Sequence, residues 1–224
     1  MALVAQLSMN GKVAVGAEMR PIKIIAFGDS LTSGLGIAGT AAFPARLESA
    51  LKAKGHLVTV VNAGVSGDTA TSGKARIDWS VPPDADAVIV ELGANDALRG
   101  IDPKITETAL DALLGRLKAR GLPILLVGMK APPNMGATYE QAFNDIFPRL
   151  AQRHSVLFYP FFLDGVAANP GLNQPDGIHP NAAGVAVIVG RILPFVERLI
   201  SRIRNGNQSM AAGDQAIATA FHCN

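Results

Sequence analysis

The sequence predicts an α/β protein whose parallel sheet is covered by helices on both faces. Three observations predict it. Short apolar, β-branched runs recur along the chain, segments with helical apolar spacing separate them, and glycine closes several of those segments. Strands that alternate with helices are joined by crossovers, which make the pairing parallel. Parallel strands buried on both faces read as continuous apolar runs.

Ile22–Phe27 is the first such run, ended by Gly28. Phe43–Lys54 carries Phe43, Leu47, Ala50 and Leu51 at helical spacing and stops at Gly55, a helix C-terminal signal. Leu57–Val61 and Ala87–Leu92 are the second and third strands. Ile105–Arg120 is a second long helix, closed by Gly121, and Ile124–Val127 is the fourth strand. Tyr139–Arg153 reads as a third helix and Val156–Phe158 as a short fifth strand. Asn181–Arg202 is a long final helix carrying Pro194. After Arg204 the apolar periodicity is lost, so the end of the chain is expected to be a flexible tail.

Composition narrows the classes of function. The chain has 224 residues, enough for one domain with a sizeable core. Hydrophobic residues make up 49% and charged residues 17%, which argues against disorder. The net charge of +2 comes with no Lys/Arg cluster, so no nucleic-acid partner is expected. No apolar run approaches the length of a membrane-spanning helix. A lone cysteine, Cys223, can neither close an internal disulfide nor anchor a zinc cluster. The first residues, Ala2–Ala5, are apolar, but Gln6, Ser8 and Asn10 interrupt them and no basic residue precedes them, which makes a weak secretory signal.

In open parallel sheets, sites form at the carboxyl ends of the strands. Three strand-to-helix turns and the segment before the last helix carry chemistry. Gly28-Asp29-Ser30-Leu31-Thr32 exposes a serine at the sheet rim beside a glycine. The turn at Gly64 can present a bare N–H to a developing oxyanion. Asn95, in Gly93-Ala94-Asn95-Asp96, can donate its side-chain amide to the same charge. Asp176-Gly177-Ile178-His179 supplies a base and a carboxylate three residues apart, the pair that a serine nucleophile needs. Taken singly, each turn has an ordinary explanation: a helix-capping serine, a glycine loop, an Asn-Asp turn, a capping histidine. Taken together they fall where this architecture builds active sites, in the order Ser, Asp, His that some triads use. The serine is not in a G-x-S-x-G elbow, because position 32 is threonine. Asp29 and Asp96 read as structural acceptors for turn N–H groups.

These blocks resemble the SGNH, or GDSL, hydrolases, with Ser30, Gly64, Asn95 and His179 as the four residues that give that family its name. Glu91–Gly100 and Asp176–Asn181 are most similar to the bacterial thioesterase I, lysophospholipase L1 and arylesterase branch; Ser66–Thr69 and Phe161-Phe162 fit as well. The resemblance covers Ile22 to Ile200. It implies a three-layer, flavodoxin-like α/β/α sandwich with a five-stranded parallel sheet. Residues 1–20 would be an N-terminal extension, 21–202 the hydrolase domain and 203–224 the tail. It implies a serine esterase acting through an acyl-enzyme on short-chain or aryl esters, with thioesters and lysophospholipids also in range. Ser30 would be the nucleophile, His179 the base and Asp176 its partner. The N–H groups of Ser30 and Gly64 and the Asn95 amide would form the oxyanion hole. No metal or organic cofactor is implied. An acyltransferase using the same acyl-enzyme is the alternative, and a non-catalytic binding module whose glycine turns hold a phosphate or nucleotide is a third reading. The branch is exported to the periplasm, whereas a native start as weak as this one implies the cytoplasm. Oligomeric state is left open, a homo-oligomer included.

Minor features complete the expectations. Leu31, Trp79 and Ile178 are candidate substrate contacts, with Trp79 reading equally as a rim residue over the acyl pocket or as a surface anchor, and Met129–Pro133 is a candidate pocket wall. Gly34-Leu35-Gly36-Ile37-Ala38-Gly39 fits G-x-G-x-x-G, but it does not follow the strand directly and no acidic residue ends the second strand, so a dinucleotide site is not expected. His56 and His154 read as surface residues near helix ends.

Overall fold

The computed structural model describes residues 20–220 and the side chains of residues 20–205. The expected N-terminal extension and Cys223 lie outside the described residues, apart from Arg20, which pairs with Asp86 at 2.6 Å.

The elements run β1 (Ile22–Gly28), α1 (Ser30–Ser33), α2 (Phe43–Ala53), β2 (Val58–Gly64), α3 (Ala70–Ser80), β3 (Ala87–Glu91), α4 (Ala94–Leu98), α5 (Pro103–Ala119), β4 (Ile124–Val127), α6 (Ala137–Asn144), α7 (Ile146–His154), β5 (Leu157–Tyr159) and α8 (Ala182–Ala220). The five strands form one sheet in the order β2-β1-β3-β4-β5, parallel at every pairing. This is the flavodoxin-like order, and its direction reverses between β1 and β3, where doubly wound sheets open a crevice. Helices α2 and α8 pack together in one layer, and α3, α5 and α7 pack side by side in another. Every residue of β3 and β4 is buried, which is why those strands read as unbroken apolar runs.

Three segments differ from their sequence reading. The expected helix Tyr139–Arg153 is two helices that meet at Asp145. Pro148 lacks an N–H, so the carbonyl of Asn144 has no helical donor and the ladder breaks there. Helix α3 falls in a stretch that shows no apolar periodicity. Its inner face is Ala70, Gly73, Arg76 and Ile77, which has helical spacing but little apolar bulk. Finally, α8 continues to Ala220, through the stretch expected to be a tail. Nothing from Arg204 to Ala220 is proline, so the backbone ladder can outlast the apolar stripe.

Candidate active site

The site forms at the carboxyl edge of the sheet, over the β1/β3 crevice. Strand β1 ends at Gly28, and Asp29 caps α1 by accepting the Leu31 N–H at 2.9 Å. Ser30 is therefore the first residue of a four-residue helix, which Gly34 closes in the left-handed region at φ 80°. Gly28 allows this turn. A Cβ there would lie 2.2 Å from Thr32 Oγ1 and 2.6 Å from Glu91 Oε2. Gly28→Ala is expected to lower the melting temperature and kcat together, at an overpacking cost of about 1–3 kcal/mol. Thermal unfolding and steady-state rates on one preparation check this.

His179 reaches the nucleophile turn from the loop before α8. Its Nε2 is 2.9 Å from Ser30 Oγ, and its Nδ1 is 2.7 Å from Asp176 Oδ2. The other Asp176 oxygen accepts the N–H groups of Ile178 at 2.9 Å and His179 at 3.0 Å. The backbone N–H groups of His179 and Ile178, followed by the imidazole, hold the Asp176 carboxyl at about 2, well below its ordinary 3.8. Asn181 caps α8 by accepting from Ala183 and Gly184, both at 3.0 Å. Gln174 straps the loop down. Its N–H donates to the His179 carbonyl at 2.8 Å, and its amide donates to Pro180 O at 3.1 Å and Leu35 O at 2.8 Å. The glycine turn around Leu35 is thereby tied to the histidine loop.

Asn95 stands on the first turn of α4, behind Gly93 at φ 116°. Its side-chain amide donates to Asp29 Oδ2 at 3.1 Å and to the Asp68 carbonyl at 3.0 Å. Asp96, beside it, is structural: it accepts from Ala70 N at 2.8 Å and Thr106 Oγ1 at 2.9 Å. Gly64 pairs with Gly28 across β1 and β2. A Cβ on Gly64 would lie 2.4 Å from Ser33 N, so its backbone is wedged against the serine turn. The Gly64 N–H donates to Asn62 Oδ1 at 3.0 Å. No described hydrogen bond uses the N–H of Ser30.

Two buried residues that sequence reasoning missed hold these turns together. Arg76 of α3 donates to Asp68 Oδ2 at 2.5 Å and to the Gly28 carbonyl at 2.9 Å, and lies 4.0 Å over the Phe27 ring. It joins the end of β1 to the loop that carries the Asn95 acceptor. Glu91, at the end of β3, has an oxygen 2.8 Å from Thr32 Oγ1. Burial raises its pKa well above the ordinary value, with the Asp29 charge adding to the effect. Burial also raises Asp29 to about 6. Charged residues in a strand or helix read as solvent-facing; Glu91 had only its place in the Glu91–Gly100 block, and Arg76 had no sequence signal.

A cavity of about 190 Å³ opens at Ser30, Asn95 and His179, with Leu31, Leu98, Met129, Pro132 and Ile178 among its walls. Leu31 is buried and Ile178 is partly exposed at the edge. Trp79 is a correction. It does not line the cavity and is 81% exposed. Helix α3 leaves the carboxyl end of β2 and runs back for 11 residues. That carries Trp79 roughly 15 Å toward the opposite edge of the sheet, at about 1.5 Å per residue. His56 and His154 are also less free than expected: each is largely buried against a carboxylate, Glu197 and Asp111 respectively.

A doubly wound parallel sheet with a serine, a histidine and an aspartate in hydrogen-bonded series at its carboxyl edge defines a serine hydrolase. The profile of the GDSL-like Lipase/Acylhydrolase family matches residues 26–187, and the chain belongs to that family. An arylesterase of Vibrio mimicus is 38% identical over 162 residues, covering 70% of this chain and 80% of that protein. The thioesterase 1/protease 1/lysophospholipase L1 of Escherichia coli (strain K12) is 40% identical over 159 residues, covering 70% of this chain and 75% of that protein. The crystal structure of AlinE4, an SGNH-hydrolase family esterase, superposes with a TM-score of 0.69 at 42% identity, covering 81% of this chain and 98% of that one.

Proposed function

We propose that this serine hydrolase cleaves carboxylic esters through an acyl-enzyme on Ser30. The observation that carries the reading is the unbroken series from Ser30 Oγ through His179 to Asp176, at 2.9 and 2.7 Å. Ser30 Oγ attacks the acyl carbon as its proton passes to His179 Nε2. Asp176 holds Nδ1 as the donor and stabilises the imidazolium that forms. The oxyanion meets the unused N–H of Ser30 first. Gly64 N–H and the Asn95 amide complete the hole by sharing or turning from their resting bonds to Asn62, Asp29 and Asp68. His179 returns the proton to the leaving alcohol. Water then repeats the sequence on the acyl-enzyme and frees Ser30.

The substrate reading rests on the cavity and the relatives. At about 190 Å³ the cavity is smaller than the range of roughly 300–1,000 Å³ usual for drug-sized ligands. Its walls are mostly apolar, which suits a short acyl chain or a ring. The relatives named arylesterase and thioesterase 1/protease 1/lysophospholipase L1 support acyl-ester and thioester substrates as the class. A panel of nitrophenyl esters of increasing acyl length tests this. The expected optimum is a short chain, and an optimum at long fatty acyl groups would overturn the short-chain reading.

Asn95→Ala tests the hole. Removing one oxyanion donor is expected to lower kcat by about 10²- to 10³-fold while KM changes little. An unchanged kcat would remove Asn95 from the hole.

A further inference from the structure

We propose that Glu91 is a positioning residue for Ser30, working as an uncharged carboxylic acid while Asp29 carries the charge of the pair. The inference rests on Ser30 being the nucleophile.

The geometry starts from Gly28. Strand register sets Glu91 beside Gly28, and the Glu91 carboxyl fills the space a side chain at 28 would occupy. Its Oε2 is 2.8 Å from the Thr32 hydroxyl and 3.4 Å from the Asp29 N–H. Asp29 caps α1 and Thr32 is its third residue. Glu91 thus touches the turn on both sides of Ser30, from below, and is only 1% exposed.

The contacts also say which partner holds the charge. Asp29 accepts the Leu31 N–H with one oxygen and the Asn95 amide with the other, and both bonds favour an anion. Glu91 has a hydroxyl and one long N–H contact, and its Oε1 is buried with no hydrogen-bond partner among the described residues. A second carboxylate beside the first, out of water, would need a cation. Arg76 is the cation that reaches Gly28, and its donors go to Asp68, Ser80 and the Gly28 carbonyl. His179 is engaged with Ser30 and Asp176, and Asp96 with Ala70 and Thr106. The raised pKa of Glu91 agrees with this division. A neutral acid can hold the Thr32 hydroxyl as donor or acceptor, so it pins the turn without adding charge beneath the nucleophile.

Two variants and a spectrum test this. Glu91→Gln keeps a neutral planar group of the same shape and is expected to retain most of kcat. Glu91→Leu removes the hydrogen bonds and is expected to lower kcat by about 10²-fold with KM little changed, the scale of a misplaced reacting group. Infrared difference spectra of chain carrying ¹³C-labelled glutamate are expected to show a protonated-carboxyl C=O band at neutral pH that Glu91→Gln abolishes. Absence of that band would overturn the inference. So would Glu91→Gln losing as much as Glu91→Leu, or Glu91→Leu keeping the wild-type kcat. If Glu91→Leu does not fold, Thr32→Val takes its place, with a loss of kcat expected and wild-type turnover counting against the inference. Fluorophosphonate labelling of the wild-type chain separates the two readings. An unlabelled Ser30 would defeat the nucleophile assignment and this inference with it. A labelled Ser30 with a fully active Glu91→Leu would defeat this inference alone.

Discussion

Ser30→Ala is expected to reduce kcat by about 10⁴- to 10⁶-fold, the range seen when a triad nucleophile is removed. The fold should not change. The Ser30 side chain has one described hydrogen bond, to His179, and the turn is held by its neighbours: Asp29 caps it, Thr32 meets Glu91 and Gly34 closes it. The melting temperature should therefore stay within a few degrees of wild type, because losing one hydroxyl at a site open to the cavity costs on the order of 1 kcal/mol. Initial rates on a nitrophenyl ester and fluorophosphonate labelling measure the two sides of the prediction. Near-wild-type turnover with an unlabelled alanine would mean that the ester bond is broken elsewhere.

The parts of the fold legible in the sequence were those that repeat physical signals. Ile124–Val127 is a strand in both readings because a short run of four buried apolar residues, β-branched at both ends, lies between Pro123 and Gly128. Helices α2 and α5 appeared within a few residues of their ends because apolar stripe and closing glycine agreed. Helix α3 did not appear, because its buried face is alanine, glycine and arginine with Ile77 as its one large apolar residue. One consequence was Trp79. Read as part of an irregular stretch, it could stand over the site; carried by a helix, it ends at the far edge.

The chemistry of the site divides in the same way. Ser30, Asp176, His179 and Asn95 sit in short local motifs; the fold joins the first three in one hydrogen-bonded series and ties Asn95 to Asp29, the neighbour of Ser30. What holds those motifs in place is long-range and was not legible. Arg76 reaches back 48 residues to Gly28, and Gln174 reaches back 139 to Leu35. Neither link has a periodicity or a spacing to betray it. The positions of Gly28 and Gly64 have a physical reason only in three dimensions, where the space for a Cβ is taken by Thr32 and Glu91 in one case and by Ser33 in the other.

Asp176→Asn is expected to lower kcat by about 10⁴-fold while leaving the loop in place. An asparagine can still accept the Ile178 and His179 N–H groups through its carbonyl oxygen. Its NH₂ would then face His179 Nδ1. Nδ1 would have to accept, the ring proton would move to Nε2, and Nε2 could no longer take the proton of Ser30. The pH dependence gives a second handle. Asp176 sits at about 2 in the fold against an ordinary 3.8, so the stability it adds is present above about pH 4 and lost as the pH falls toward 2. Asp29 works in the opposite sense. Its value of about 6 lies above 3.8, so the fold is favoured with Asp29 protonated, and that contribution is lost as the pH rises from 4 through 6. In Asp176→Asn the decline in melting temperature between pH 4 and 2 should therefore flatten, and the behaviour between pH 4 and 6 should persist. Thermal melts across that range, with kcat measured at neutral pH, make the check. A variant that kept kcat within about tenfold of wild type would show that the imidazole keeps its tautomer without Asp176, because the wrong-tautomer penalty is far larger.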